Sequence, residues 1–149
     1  MKTFADKAYK HTYLDASYTE QKINEMLEEL GISQMRITRG ASNYVVEFIV
    51  KMYEGESSRK VRINVPLEEI GEKRGKRERD AMFRILYYNL KNRFVSVANG
   101  LREFEEEFLS DLVVMVDGQE QRVGDIIAPR YKEMLRDNKL PVFHITSGK

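Results

Sequence analysis

The sequence predicts an α+β fold, because segments with helical periodicity flank segments with the period of two that is typical of strands. Apolar residues spaced three and four apart form one helical stripe before the middle of the chain and another after it. Between these stripes, apolar and polar residues alternate in three short runs separated by turn residues. Such short loops favour an antiparallel three-stranded meander, whose apolar face the two amphipathic helices would cover.

The size and composition of the chain are those of one soluble domain. Its 149 residues can bury roughly two-thirds of their unfolded surface in one core. We therefore expect a single α+β domain at residues 17–149, preceded by an N-terminal arm at residues 1–16 that shows no clear period. Cysteine is absent, which excludes disulfides, thiolate zinc sites and cysteine nucleophiles. No apolar run suits a signal peptide or a membrane span, so we expect a cytoplasmic location and no membrane partner.

The first half of the chain is predicted to form a helix and three strands. Ser17 and Glu20 match a capping box that would open the helix, and Gly31 would end it. The strands are predicted at residues 35–38, 44–52 and 59–65, with Pro66 ending the third. The solvent face of this sheet would display four cations, moderated by Glu47. These cations are Arg36, Lys51, Lys60 and Arg62.

A long helix is predicted at residues 72–99, with an apolar side and a basic side. The apolar side faces the core and consists of Phe83, Leu86, Tyr87, Leu90, Phe94 and Val97. Arg77, Arg84 and Lys91 are seven residues apart and form the opposite side. Tyr88 lies four residues after Arg84 and three before Lys91, so an aromatic ring is expected among the cations.

The remainder is predicted to form an acidic helix, a hairpin and a last helix. Gly100 breaks the long helix, and a new apolar stripe follows it: Leu101, Phe104, Phe108 and Leu112. An Asp117-Gly118 turn between residues 113–116 and 119–123 indicates a small hairpin. The last helix is expected at residues 124–138, with Pro129 near its first turn or at a kink.

The charges nearly cancel over the whole chain but are segregated along it. Residues 59–93 contain eleven basic and five acidic side chains, whereas residues 103–111 contain only acidic charges. Cations neutralise phosphates, and a tyrosine among them can stack on an unpaired base. The candidate nucleic-acid-binding residues are Lys60, Arg62, Lys73, Arg77, Arg84, Tyr88 and Lys91.

These residues favour a protein that binds nucleic acid without reading its sequence, with single-stranded DNA or RNA as the favoured partner. The plainer alternative is that they form the solvated face of an amphipathic helix, some of them paired with acidic residues. A second alternative is a module without catalytic activity that modulates a host protein or assembles into a homo-oligomer through opposed basic and acidic helix faces. Nothing in the sequence predicts an enzyme or a cofactor.

The acidic run allows one further alternative, a metal-dependent hydrolase. Glu103, Glu107 and Asp111 are four residues apart and could hold a divalent cation from one helix face. No histidine is aligned with them, since His11 and His144 lie near opposite ends of the chain. We therefore predict no catalytic and no metal-binding residues, and interpret the run as a solvated face or as a patch complementary to another subunit's basic helix.

Residues 79–129 resemble a widespread family of small uncharacterised proteins from phages, prophages and other mobile elements. The features that carry the resemblance are the basic residue before an aromatic-rich helix, the segment 91–100, the run FEEEFL at 104–109, the Asp117-Gly118 turn and Leu140-Pro141. Phe83 departs from the tryptophan that the family often has. The resemblance implies a mobile-element origin and no catalytic residues. For the nucleic-acid-binding hypothesis, we expect a role in replication or recombination.

Two further comparisons rest on topology alone. A helix, three antiparallel strands and a second helix with a basic start are similar to the double-stranded-RNA-binding domain and to the core of phage single-strand annealing proteins. The glycine-rich and lysine signatures of the RNA-binding domain are not closely matched. Fold analogy of this kind is a weak basis for function.

Overall fold

The computed structural model describes residues 8–40, 42–52, 57–68 and 72–137, and over these ranges the predicted α+β architecture is confirmed. The elements follow in the order helix, three strands, long helix, short helix, two strands, helix. The three strands form one antiparallel sheet in sequence order, and the later two form a separate hairpin. The core lies mainly between the inner face of the sheet and the first two helices.

Helix α1 (Ala16–Glu29) begins earlier than predicted. The predicted capping box of Ser17 and Glu20 is wrong, because Asp15 occupies the N-cap position. The Ala16 N–H donates a hydrogen bond of 2.7 Å to the Asp80 carboxylate, so a residue of a later helix satisfies this end. The other end is as predicted: Gly31 has a φ of +80°, the left-handed conformation that terminates many helices.

The sheet consists of β1 (Met35–Arg39), β2 (Asn43–Val50) and β3 (Arg59–Pro66). In its register Phe48 lies opposite both Met35 and Val61. Side chains alternate between the two faces of a strand, so this register confirms the predicted apolar inner face. Glu47, on the outer face, is opposite Arg36 and Arg62.

Helix α2 (Glu72–Ala98) lays the predicted apolar stripe against the core. Two acidic side chains near its start, Glu78 and Asp80, are also buried, which the spacing of the apolar residues did not predict. Glu78 accepts a hydrogen bond from the Glu68 N–H, and Asp80 accepts one from the Ala16 N–H. These carboxylates therefore attach the segment before α2 and the start of α1 to the same helix.

The acidic helix is shorter than predicted. Helix α3 comprises only Phe104–Phe108 and is followed by a 3₁₀ turn at Leu109–Asp111. Phe108 and Leu112 are buried as expected, but Leu101 is 76% exposed and lies outside the helix. Residues 101–112 do not form one helix, because Gly100 and the following bend delay the helix start to Phe104. Leu101 therefore does not share a helix face with Phe104 and Phe108.

The hairpin and the last helix complete the described chain. Strands β4 (Val113–Val116) and β5 (Gln119–Arg122) are joined by the predicted turn, in which Asp117 and Gly118 both have positive φ. Helix α4 (Val123–Asp137) follows, with Pro129 inside it rather than near its first turn. Its first turn attaches it to the body: the Val123 N–H donates to the Leu112 carbonyl at 2.9 Å. Over the described ranges, no helix has the length and apolar character to span a bilayer.

Candidate functional site

The basic side of α2 remains open to solvent along most of its length. Lys73, Arg77 and Lys91 are exposed, and Arg84 is half-buried. Within the described ranges, none of these four forms an ion pair with a carboxylate, unlike Lys76, which contacts Asp15 and Asp80. Residues 73–91 span about 27 Å of helix at 1.5 Å per residue. We call Lys73, Arg77, Arg84 and Lys91 the α2 ridge.

Tyr88 lies beside the α2 ridge in a cluster of rings. The Arg84 guanidinium carbon is 5.2 Å from the ring centres of both Tyr87 and Tyr88. The two tyrosines meet edge to face, with 5.2 Å between their centroids. Cation–π contacts of this kind orient the guanidinium without neutralising it. The Arg84 guanidinium therefore lies next to an aromatic surface.

One face of the Tyr88 ring is occupied by Tyr9 from the N-terminal arm. The two rings are stacked, with centroids 5.6 Å apart and an interplanar angle of 18°. Tyr9 has a φ of 63°, and its carbonyl accepts a hydrogen bond from the Thr12 N–H at 2.9 Å. Sequence reasoning missed this contact, because residues 8–15 show no period and a left-handed tyrosine has no sequence signal.

The arm also borders the ridge near Arg77. His11 and Tyr13 line a shallow cleft with the Arg77 side chain, and both are exposed. The His11 side chain is exposed. His144 lies outside the described residues.

Lys60 and Arg62, which we predicted as part of the basic site, are paired with carboxylates. The Lys60 ammonium lies 2.9 Å from Glu120 and 3.4 Å from Glu47. The Arg62 guanidinium lies 2.6 Å from Glu120 and 2.9 Å from Glu47. A phosphate would have to compete with both carboxylates for these cations. We therefore exclude Lys60 and Arg62 from the candidate interface.

Glu47 is the centre of this network on the outer face of the sheet. It is buried, and Arg36 binds its second oxygen at 2.6 Å. Burial by itself would raise the pKa of the Glu47 carboxyl, but hydrogen bonds from Arg36 and Arg62 and the charge of Lys60 lower the pKa to about 2. Hydrogen bonds from Lys60 and then Arg62 also lower the pKa of Glu120. The network therefore attaches the β4–β5 hairpin to the sheet.

The acidic run pairs with cations of its own chain. Asp111 accepts from Arg93 at 2.7 Å and from Arg122 at 3.0 Å. Glu107 accepts from the Ser96 hydroxyl at 3.0 Å and lies 3.8 Å from Arg102. Among the described residues, no group of three acidic or histidine side chains is arranged to hold a metal ion. The pairing engages Asp111 and Glu107, part of the run that we interpreted as a solvated face or as a patch for another subunit's basic helix.

No protein-family model, curated protein or solved structure shows significant similarity to this chain. The resemblance to mobile-element proteins and the two topological comparisons therefore stay predictions. The candidate site depends on its own geometry, which is the α2 ridge with Tyr88 and Tyr9 beside it.

Proposed function

We propose that the protein binds single-stranded nucleic acid without reading its sequence, through the α2 ridge and Tyr88. The observation that carries the proposal is the Tyr9–Tyr88 stack next to Arg84. A planar ring is already accommodated at stacking distance beside a cation that no carboxylate neutralises within the described chain. Proteins that bind single strands combine these features, namely backbone neutralisation and aromatic stacking.

The ridge favours contact with the sugar–phosphate backbone over recognition of base edges. Two of the four ridge residues, Lys73 and Lys91, are lysines, whose ammonium groups are point charges on flexible stems and suit contacts with phosphates. A role in the replication or recombination of a phage or other mobile element is compatible with binding of this kind. Measuring the affinity for DNA and for RNA oligonucleotides shows which of the two is preferred.

Removing the exposed ridge cations is expected to weaken binding and to reduce its salt dependence. In a Lys73→Gln, Arg77→Gln, Lys91→Gln variant, affinity for a labelled oligonucleotide of about 20 nucleotides should fall by about tenfold or more at low salt. The slope of log K against log salt should become less negative by about 2, since each single-strand phosphate contact contributes about 0.7. Fluorescence anisotropy across a salt series measures both quantities.

The matched control removes the same charge from other surfaces. Lys51, Lys132 and Arg136 are exposed; Lys51 directly follows β2, and the other two lie on α4 rather than on α2. Their triple replacement by glutamine should leave the salt slope near that of the parent protein. Equal losses in the two triple variants would show that only net charge matters, and would contradict a site on α2.

Removing Tyr9 is expected to tighten binding, because its ring covers the Tyr88 face that a base would use. An aromatic pair contributes about 0.5 to 1.5 kcal/mol beyond burial, so Tyr9→Ala should raise affinity by about twofold to tenfold. The control is Tyr88→Ala, in which adding Tyr9→Ala should have no further effect. Anisotropy titrations of the four proteins complete the cycle, and an unchanged or weaker affinity for Tyr9→Ala would reject Tyr88 as the stacking residue.

A further inference from the structure

Helix α4 exposes an apolar stripe to solvent. Ile127, Tyr131 and Met134 are spaced four and three residues apart, and they are 50%, 55% and 59% exposed. None of the 15 residues of α4 is buried. A helix of this length is marginal in water by itself, and Pro129 removes one of its backbone hydrogen bonds. The exposed stripe is therefore available to a partner surface, which would stabilise the helix beyond the contacts of its first turn.

The charges of α4 indicate what kind of surface would cover the stripe. Three basic and three acidic side chains accompany it: Asp125, Arg130, Lys132, Glu133, Arg136 and Asp137. A helix that binds an anionic membrane or a nucleic acid carries an excess of basic residues on its polar side. The balanced charge of α4 instead favours a protein surface that also carries both signs.

The heptad pattern of α4 is compatible with packing against the α4 helix of a second copy of the chain. If Ile127 and Met134 occupy d positions and Tyr131 an a position, the flanking g positions hold Arg130 and Asp137, and the e positions hold Ala128 and Leu135. In an antiparallel pair, g faces g and e faces e. With Tyr131 against the partner's Met134, Arg130 lies opposite the partner's Asp137 on one edge, and Ala128 lies opposite the partner's Leu135 on the other.

We propose that two copies of the chain associate through antiparallel packing of their α4 helices. The two-fold symmetry of such a pair forms the Arg130–Asp137 contact twice. A parallel pair would instead place g opposite e, so that Arg130 would face leucine and gain no partner. Within the described ranges, neither Arg130 nor Asp137 has an ion pair that would prevent this contact. The interface does not involve α2 and does not depend on nucleic-acid binding.

Sedimentation equilibrium of the full-length chain, without nucleic acid, tests the proposal. We expect a monomer–dimer equilibrium in which Tyr131→Glu raises the dissociation constant by about tenfold or more, since an aromatic anchor carries much of the energy of a small interface. The control is Leu101→Glu, which places the same charge on an exposed apolar residue away from α4 and should leave the constant unchanged. A chain that stays monomeric up to about 1 mM would overturn the proposal.

Charge reversal tests the orientation of the helices. Asp137→Arg places two arginines opposite each other at both edge contacts and should weaken the dimer by about tenfold, a sum of several small ion-pair effects. Adding Arg130→Asp in the same chain restores opposite charges and should restore the dimer. Failure of this rescue, or weakening by Leu101→Glu as great as that by Tyr131→Glu, would reject antiparallel α4 packing.

Discussion

Replacing Glu47 by glutamine is expected to lower the free energy of unfolding by about 3 kcal/mol at pH 7. The variant keeps the shape of the buried side chain but removes the charge that Arg36, Lys60 and Arg62 share. Glu120→Gln is the control, because the Glu120 carboxylate contacts Lys60 and Arg62, two of these three cations, from an exposed position. Loss of its charge should therefore lower the free energy of unfolding much less. Urea unfolding at pH 7 compares the three proteins.

The stabilisation by the charge of Glu47 should disappear in acid, over a pH range that follows from the lowered pKa of its carboxyl group. The folded pKa of about 2 lies below the ordinary value of 4.5, so folding favours the charged form. The stabilisation is therefore complete above pH 4.5 and is lost as the pH falls towards 2. The difference between the parent protein and Glu47→Gln should shrink from about 3 kcal/mol to near zero across this range. A difference that does not change with pH would show that the stabilisation comes from packing rather than from charge.

Replacing Asp111 by alanine is expected to destabilise the protein by about 3 to 5 kcal/mol, because two arginines lose their shared carboxylate. The side chains of Asp111, Arg93 and Arg122 are 14%, 13% and 22% exposed, so water replaces the lost contacts poorly. Arg93 also lies 4.1 Å from the centre of the buried Phe108 ring, which places its charge next to the core. Loss of Asp111 should therefore loosen α2, the 3₁₀ turn and the hairpin together.

The matched control for this prediction is Asp125→Ala. Asp125 also pairs with Arg122, at 2.9 Å, but its side chain is 66% exposed. Its loss should cost at most about 1 kcal/mol, as for other surface ion pairs. Urea unfolding measures the loss of stability in both variants, provided that the m-value is unchanged. Similar small losses in the two variants would contradict a structural role for the Arg93–Asp111–Arg122 bridge.

Helices and strands were predicted well where the periodic pattern of apolar residues extended over many residues. The alternation in residues 44–50 and 59–65 identified both faces of the sheet, and the stripe from Phe83 to Val97 identified the core side of α2. Predictions failed where a distant group decided the outcome. Asp80 satisfies the N-terminus of α1 in place of the Ser17 capping box, and the bend after Gly100 separates Leu101 from the stripe to which it was assigned.

The candidate site was predicted only in part, because a charge is available to a ligand only if no other element neutralises it. The spacing of Arg77, Arg84 and Lys91 correctly placed them together on one side of α2. The sequence could not show that Glu120, 60 residues from Lys60 and 58 from Arg62, would pair with those two cations. Nor did it show that Tyr9 would cover one face of Tyr88.

The sequence by itself determined which residues lie on the same face of each helix and strand, and that the Asp117-Gly118 pair would turn the chain. These features follow from backbone geometry over a few residues, which repeats every 3.6 residues in a helix and every two in a strand. Only the tertiary structure decided which cations of the described ranges form ion pairs with carboxylates. Electrostatic energy depends on the distance between charges in space, and the fold brings together groups that are far apart in the chain.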